Sequence, residues 1–430
     1  MSLFTYIEEG SELRDFLYNH NVYCYGAGKF GVRFVEYCLK YDLPIAGVVV
    51  SNDQKIPIED CSILNLKIRH LNEIQGKQCA VIVAINEKMH PIIAENLSGT
   101  IPLENIRYLS NDPFFLIQEY DKEIERRKKI DLFNFRELAK PVEPITKDRI
   151  GYNYFYGHNK IVRKVLNLSD RQPLKAAISH AVNPGGILLW RDELALDDDE
   201  IKDVYVPSII KRDILSRYVP KKNFISIGLF IQYVDRILSQ NEFERIKRHF
   251  GKILLVFPDH SIPGIGCNFQ VKKFIEMINK LKNDYDTVFV CLGYNDATSE
   301  IAEPYIKEDF MIVTSGYIFD YYFLYRLRTL IELSDMTVSM NYVGSQIGYS
   351  ICLNRPVYII NQEINYKIGD NYLDLWDFID YYKDKMVCYQ EKEYVRCAVK
   401  EAKIAFGISS HHITEYQKEV VKRYWGEWGN

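Results

Sequence analysis

Residues 22–40 read VYCYGAGKFGVRFVEYCLK. A short apolar run leads into a turn carrying Gly26, Gly28 and Gly31 as G-x-G-x-x-G, and an amphipathic stretch follows. Glycines so placed permit a tight turn, and the N–H groups of the helix that follows favour an anion. A dinucleotide site also wants an acid after the second strand, to hold a ribose. Asp53, in VVVSND, stands where that acid belongs. The stretch predicts an α/β fold opening on strand, turn and helix. It leaves two functional readings: a nicotinamide or flavin site, or an accessory domain without hydride chemistry. No hydride-transfer constellation follows it, which favours the second.

The same alternation continues outward. IAGVVV (45–50) and AVIVAI (80–85) read as strands, with a helix around HPIIAENLSG (90–99). Short β-rich runs alternating with helices predict a parallel, doubly wound sheet over residues 1–112. Residues 113–137 form one long amphipathic pattern, in which DKEIERRKK is a solvated helix face. They open a helical linker, 113–149, closed by the prolines and charges of AKPVEPITKDR. From residue 150 a second series begins, with strands at LKAAIS, DVYVPS, NFISIG, KILLVFP, TVFVCLGY, FMIVTSG, MTVSM and PVYII. It predicts two further Rossmann-like domains, 150–248 and 249–405, before a C-terminal helix over 406–430. Ligands of such sheets bind beyond the carboxyl ends of the strands.

Composition narrows the classes. The chain has 430 residues, 47% of them hydrophobic and 26% charged, as expected of globular domains. Its net charge of −4 argues against nucleic acid as a partner. MSLFTYIEEG has acids where a signal peptide needs bases, and no apolar run approaches the ~20 residues of a membrane span. Nine scattered cysteines without a C-x-x-C pair read as free thiols in a reducing compartment. The expected location is cytoplasmic.

Four later stretches carry candidate chemistry. His158 lies in the Tyr/Gly-rich turn NYFYGHNK, and His180 ends a predicted strand before N-P-G-G. Asp192 and Glu193 follow Trp190 in the same loop, where a carboxylate could deprotonate a hydroxyl. In LLVFPDHSIPGIGCNF, Asp259, His260 and Ser261 follow a strand and precede a Gly-rich loop entering a helix, a turn suited to phosphate. In MTVSMNYVGSQIGYSICLNRPVYII (336–360), a strand ends at Asn341, and Gly344 and Ser345 open a helix whose N-terminus faces an anion. Gly316 closes the strand FMIVTSG and joins this nucleotide-binding set. Arg326 and Arg328 read as facing either solvent or phosphate, and His411-His412 as a surface pair. The acidic run LALDDDEIKD reads as a helix start without a metal-binding D-x-D, so no metal site is expected.

Taken in order, Y-G-H (156–158), H-A-V (180–182), W-R-D-E (190–193), ISIGLFIQY, VFPDHS and VGSQIGYSICLNRPVYI resemble the pattern of bacterial capsule and lipopolysaccharide glycosyltransferases of GT-B architecture. The resemblance spans roughly residues 150–405. It implies that the last two Rossmann-like domains form a pair of lobes around a cleft, with the acceptor on the first and the nucleotide of the donor on the second. It further implies that His260, Ser261 and Ser345 contact donor phosphate, and that Glu193 or Asp192 is the base with His180 nearby. The chain departs from the pattern with Ala181 where such proteins often have glycine, and with Tyr349 in the helix that usually carries a ribose-binding acid. Residues 1–110 separately resemble the small nucleotide-binding-like domain that precedes various bacterial sugar-modifying enzymes.

The sequence therefore predicts a cytoplasmic, metal-independent glycosyltransferase of bacterial surface-polysaccharide assembly. It would require no cofactor beyond a nucleotide-sugar co-substrate. The acceptor would be a saccharide or lipid-linked saccharide. Transfer of an alditol phosphate from a CDP-alditol is the nearest alternative. An NAD(P)-dependent oxidoreductase using GAGKFG and a non-catalytic scaffold are the others. Trp425 and Trp428 in the tail suit either contact with the inner face of a bilayer or burial against a lobe. Homo-oligomerisation is compatible with everything read.

Overall fold

The computed structural model describes residues 4–7, 10–40, 42–54, 62–110, 123–142, 153, 155–168, 174–180, 182–184, 195, 198–261, 264–407 and 411–429. The chain divides into two compact units, Met1–Glu123 and Ile124–Asn430.

In the first unit, strands β1 (Val22–Tyr25), β2 (Gly47–Val50), β3 (Ser62–Ile63), β4 (Leu66–His70), β5 (Ala80–Val83) and β6 (Ile106–Tyr108) form one sheet in the order β3-β4-β2-β1-β5-β6. All pairings are parallel except the β3–β4 hairpin. Strands β1, β2 and β5 are buried along their whole length, which is why they stand out in the sequence as unbroken apolar runs. Helix Lys29–Lys40 turns Phe34, Val35 and Cys38 onto one face of the sheet; His90–Leu97 turns Ile93 and Leu97 onto the other. Strands β4 and β6 escaped the sequence reading because LKIRH and IRY interleave basic with apolar residues.

The second unit holds β7 (Ala176–Ile178), β8 (Asp203–Val206), β9 (Asn223–Ser226), β10 (Ile253–Phe257), β11 (Gly266–Asn268), β12 (Thr287–Cys291), β13 (Met311–Val313), β14 (Met336–Ser339), β15 (Val357–Ile359), β16 (Asn365–Ile368) and β17 (Asn371–Leu373). Three sheets result: a parallel β7-β8-β9, a parallel β13-β12-β10-β14-β15, and an antiparallel β11-β16-β17. The α/β fold with several parallel, Rossmann-like sheets is thus as expected. Helix Phe323–Leu333 packs Leu324, Leu327, Leu330 and Ile331 at i, i+3, i+6 and i+7 into the core shared with β10 and β7.

Three local expectations are corrected. The loop after VFPDHS does not run straight into a helix: Gly266–Asn268 forms β11, paired with β16, and the helix starts only at Val271. Asp198–Glu200 is a turn leading into β8, not a helix start; the Asp198 carboxylate accepts the Glu200 N–H at 3.0 Å, and the β-branched DVYV then takes over. The pattern over 113–137 is not one helix in its described part. Residues 123–128 are helical, but Asp131 accepts the Phe133 N–H at 2.8 Å and Asn134 caps a new short helix, Phe135–Leu138. Residues 113–122 lie outside the described residues, as do Trp190, Asp192, Glu193 and most of AKPVEPITKDR.

The tail is internal. A Thr414–Gln417 capping box starts helix Glu415–Tyr424, and Trp425 at its end is fully buried, with Trp428 packed at the margin of the same core. Between its two alternatives, the structure gives Trp425 the buried one. No described helix is long and apolar enough to cross a membrane.

Candidate functional site

In the five-stranded sheet the chain winds outward from β10 through β12 to β13, then returns to the other side of β10 as β14 and β15. The point where winding reverses, between β10 and β14, leaves a crevice at the carboxyl ends of the two strands. Pro258–Ser261 leaves β10 there, and Met340–Gly344 leaves β14.

The Asp259 carboxylate spans the crevice. It accepts from Asn341 Nδ2 at 3.3 Å and from the Tyr366 hydroxyl at 3.2 Å, joining the ends of β10 and β14 to the small antiparallel sheet. Burial and the neighbouring Asp259 charge push the Tyr366 phenol far up, so it stays a neutral donor. His260 is the exposed member, with half its side chain open to solvent and Nδ1 at 3.9 Å from Asp259. The Ser261 N–H donates to Asp296 at 2.9 Å, and its hydroxyl oxygen accepts from the Cys267 N–H at 3.1 Å. Burial pushes the Asp296 carboxyl up, partly offset by the Ser261 N–H.

Gly344 is the N-cap of helix Ser345–Cys352 and makes no side-chain cap, so the first N–H groups of that helix meet no side chain of the capping residue. The Asn341 Oδ1 accepts the Val343 N–H at 3.0 Å and shapes the turn. The Gly344 carbonyl in turn accepts the Trp425 indole N–H at 2.9 Å. A side chain at Gly348 would collide with that indole.

The second half of the site comes from the carboxyl end of β7. His180 follows Ser179 there, flanked by the Phe155 ring at 4.6 Å and the Tyr156 ring at 5.0 Å, with Nε2 at 3.3 Å from the Tyr156 hydroxyl. Burial pushes the His180 imidazole down to about 4, and the Lys211 ammonium and His260 imidazole push the same way. His180 is therefore neutral at pH 7. The His260 contribution comes from the end of β10. His158 begins helix His158–Leu166, packs edge-on against Phe230 at 5.0 Å and is buried beneath this surface. Burial, then His180 and Lys211, hold it well below its usual range. Lys211, which enters in the first turn of helix Ile209–Tyr218, had no signal in the sequence beyond its charge.

Other candidates lie elsewhere. Gly316, at φ 109°, borders a buried cluster in which Asp320 pairs with Arg127 at 2.5 Å and with Arg326 at 2.9 Å. Arg326 thus faces neither solvent nor phosphate. Arg328 pairs with Glu332 at 2.8 Å and donates to the Val234 carbonyl at 2.6 Å. His411 and His412 are exposed. In the first unit, the glycine turn is formed as its pattern requires. Gly26 has φ 121°, and a side chain at Gly31 would fall 1.8 Å from the Gly26 carbonyl oxygen, while a Cβ on Gly28 would meet open space. Asp53 sits in an exposed turn beyond β2. Among the described residues, no group of three or more His, Cys, Asp and Glu side chains is placed to hold a metal ion.

No protein-family model matches the chain, and no curated protein sequence matches it. Several solved structures resemble it. The ADP-heptose lipopolysaccharide heptosyltransferase II of E. coli is 11% identical, with a TM-score of 0.26 over 79% of this chain and 84% of its own. The wall teichoic acid polymerase TagF is 11% identical, with a TM-score of 0.30 over 95% and 89%. The UDP-GlcNAc 2-epimerase of Neisseria meningitidis, bound to UDP-GlcNAc, is 12% identical, with a TM-score of 0.30 over 93% and 98%. Identities and TM-scores this low leave the site to be argued from its own geometry.

Proposed function

We propose that residues 124–430 act as a glycosyltransferase of bacterial surface-polysaccharide assembly, moving a sugar from a nucleotide-sugar to a hydroxyl of a saccharide or lipid-linked saccharide. In this reading the parallel sheet β7-β8-β9 belongs to the acceptor lobe and the five-stranded sheet to the donor lobe of a GT-B pair. The observation that carries the reading is the pair of strand ends that bear acid–base side chains: His180 beyond β7, whose imidazole the His260 charge beyond β10 helps to lower, and Asn341 beyond β14, which bonds Asp259 beside His260 and leads into the helix N-terminus at Gly344–Ser345. The donor diphosphate would sit on that helix, with His260 and the β10 turn around Ser261. The acceptor hydroxyl would approach His180, whose neutral imidazole can take its proton as the oxygen attacks the anomeric carbon and the nucleoside diphosphate leaves. Asp192 and Glu193 are the other candidates for that base. The reaction asks for no metal in this scheme, and the acceptor side would work at the inner face of the cytoplasmic membrane if the acceptor is lipid-linked.

One observation favours a second reading. Besides the Tyr156 phenol, the groups that act on the His180 charge or are acted on by it are the bases Lys211, His260 and His158, which suits attack at the phosphorus of a CDP-alditol. The products separate the two: a nucleoside diphosphate leaves in sugar transfer from the common UDP, GDP or ADP donors, and CMP leaves in alditol-phosphate transfer.

The experiment is a thermal-shift panel of NAD, NADP, CMP, CDP, UMP, UDP and GDP on the full chain. A ligand of the folded state stabilises it by about 2.7 kcal/mol at a hundredfold excess over its dissociation constant. A shift with one nucleotide that His260→Ala abolishes supports the donor site. A shift with NAD alone, unchanged in that variant, sinks it.

A further inference from the structure

We infer that Tyr156 is a positioning residue, aiming its hydroxyl at His180 Nε2 so that the ring carries its proton there and Nδ1 keeps a bare lone pair. The inference rests on His180 being the acceptor-side base of the reading above. It starts from the backbone. Tyr156 has φ 55° and ψ 18°, and a left-handed conformation in an aromatic residue costs about 1–2 kcal/mol unless the surroundings fix it.

The surroundings do fix it. The Tyr156 N–H donates to the Ile318 carbonyl at 2.6 Å. Gly157 follows at φ 73°, so close under Tyr321 that a Cβ would fall 2.4 Å from its carbonyl oxygen. The Tyr156 ring rests on Phe323 at 4.6 Å. The loop supplying these partners is itself tied down, because Asp320 within it is held by Arg127 and Arg326. A strained residue so over-determined has its hydroxyl aimed, not merely placed.

The target has one unused atom. Tyr156 engages Nε2 at 3.3 Å, while Nδ1 is buried and makes no hydrogen bond. A neutral imidazole carries one N–H. With the proton on Nε2, donated to the Tyr156 oxygen, Nδ1 keeps a bare lone pair, the form a general base needs. With the proton on Nδ1, a buried donor would lack a partner, at about 1–3 kcal/mol. Phe155 packs edge-on against the same ring at 4.6 Å. The dyad Tyr–His is formed before any substrate arrives.

The test reads the tautomer directly, so it stands apart from any assay of transfer. The full chain is labelled with 15N-histidine, and His180 is assigned by its loss in His180→Gln. The expected spectrum of the unmodified protein at pH 7 has His180 protonated at Nε2 and bare at Nδ1. In Tyr156→Phe, which keeps the ring and its packing, the expected spectrum shows the other tautomer or a mixture. Protonated Nδ1 in the unmodified chain overturns the inference, as does an unchanged His180 signal in Tyr156→Phe. In a transfer assay the same variant is expected to lower kcat about tenfold with KM for both substrates within twofold. A confirmed tautomer with no transfer by any donor would remove the transferase reading and leave the positioning role intact.

Discussion

The two units contain the same winding twice. Leaving out the β3 edge, the first sheet runs β4-β2-β1-β5-β6 and the larger second sheet runs β13-β12-β10-β14-β15, each moving outward from its first strand and returning on the other side. Each has its reversal crevice at the carboxyl ends of its first and fourth strands in chain order. What lines the crevices differs. Beyond β1 and β5 lie Gly26–Gly28 and Ala84–Ile85; beyond β10 and β14 lie Asp259–Ser261 and Asn341–Ser345, where the His260 charge reaches His180. Topology provides a place for a ligand twice; at the first the one imidazole, His90, is tied to the Ile85 carbonyl and the Tyr6 hydroxyl, while at the second His260 stands half exposed.

The sharpest way to break this comparison is to disable one crevice at a time. His180→Gln is expected to lower kcat for transfer by about 100- to 10,000-fold, the range for losing a general base. Gly28→Trp, which fills the open space above the first turn, is expected to leave transfer unchanged. Product release, followed by chromatography of the nucleotide, measures both. If Gly28→Trp abolishes transfer and His180→Gln spares it, the assignment of chemistry to the second crevice is wrong.

Next in size is the support beneath the second crevice. Among the described residues, Asp320 is the one carboxylate paired with two buried guanidinium groups, Arg127 and Arg326. Asp320→Asn leaves both without a counter-charge and is expected to destabilise the unit by about 3–5 kcal/mol. Urea unfolding followed by near-ultraviolet circular dichroism gives the number. A loss below a tenth of that would mean the cluster does not hold the Tyr156 loop.

The difference between the crevices also marks how far the sequence could be read. Strands β1, β2, β5 and β10 were legible because burial on both faces leaves long apolar runs. Strands β16 and β17, within NYKI and NYL, were not, since they are short and half-exposed and carry no period. In the first crevice, a site made of backbone, the three glycines spell out the geometry locally. In the second, His260, Ser261 and Ser345 were legible as strand-end and helix-start residues. Tyr156, Lys211, Asp296 and Tyr366 were not, because each reaches its partner through tertiary packing. Arg326 misled for the same reason: nothing in FLYRLRTLIELSD shows that Asp320 and Arg127 close around it.

A pH titration sharpens the comparison further, because burial lowers two imidazoles of the second unit's site, His158 and His180, and one of the first unit, His90. His180 has a folded value of about 4 against an unfolded value near 6.5. Between those values the unfolded chain binds the extra proton, so stability rises with pH there and is lost on acidification. The shift corresponds to about 3 kcal/mol lost between pH 6.5 and 4, and His158, lowered for the same first cause, adds in the same direction. His180→Gln should flatten that part of the unfolding curve. A curve as steep in the variant as in the unmodified chain would show that His180 is not held neutral by burial.

The smallest effect concerns how each helix N-terminus is aimed. In the first unit the aim is local: Gly31 lies so close under Gly26 that the turn itself fixes the helix Lys29–Lys40. In the second it is long-range. The Trp425 indole N–H, 81 residues further along the chain, holds the Gly344 carbonyl at 2.9 Å, and Gly348 leaves room for the ring. Trp425→Phe keeps an aromatic ring in the core but removes that one donor. A single neutral hydrogen bond contributes about 0.5–1.5 kcal/mol, so donor-nucleotide affinity is expected to fall about two- to tenfold. Isothermal titration of the nucleotide identified by the thermal-shift panel measures it, with Gly31→Ala as the control that should disturb only the first turn. An unchanged affinity in Trp425→Phe would mean that the helix Ser345–Cys352 is aimed by its own turn, as in the first unit. The tail would then be packing alone.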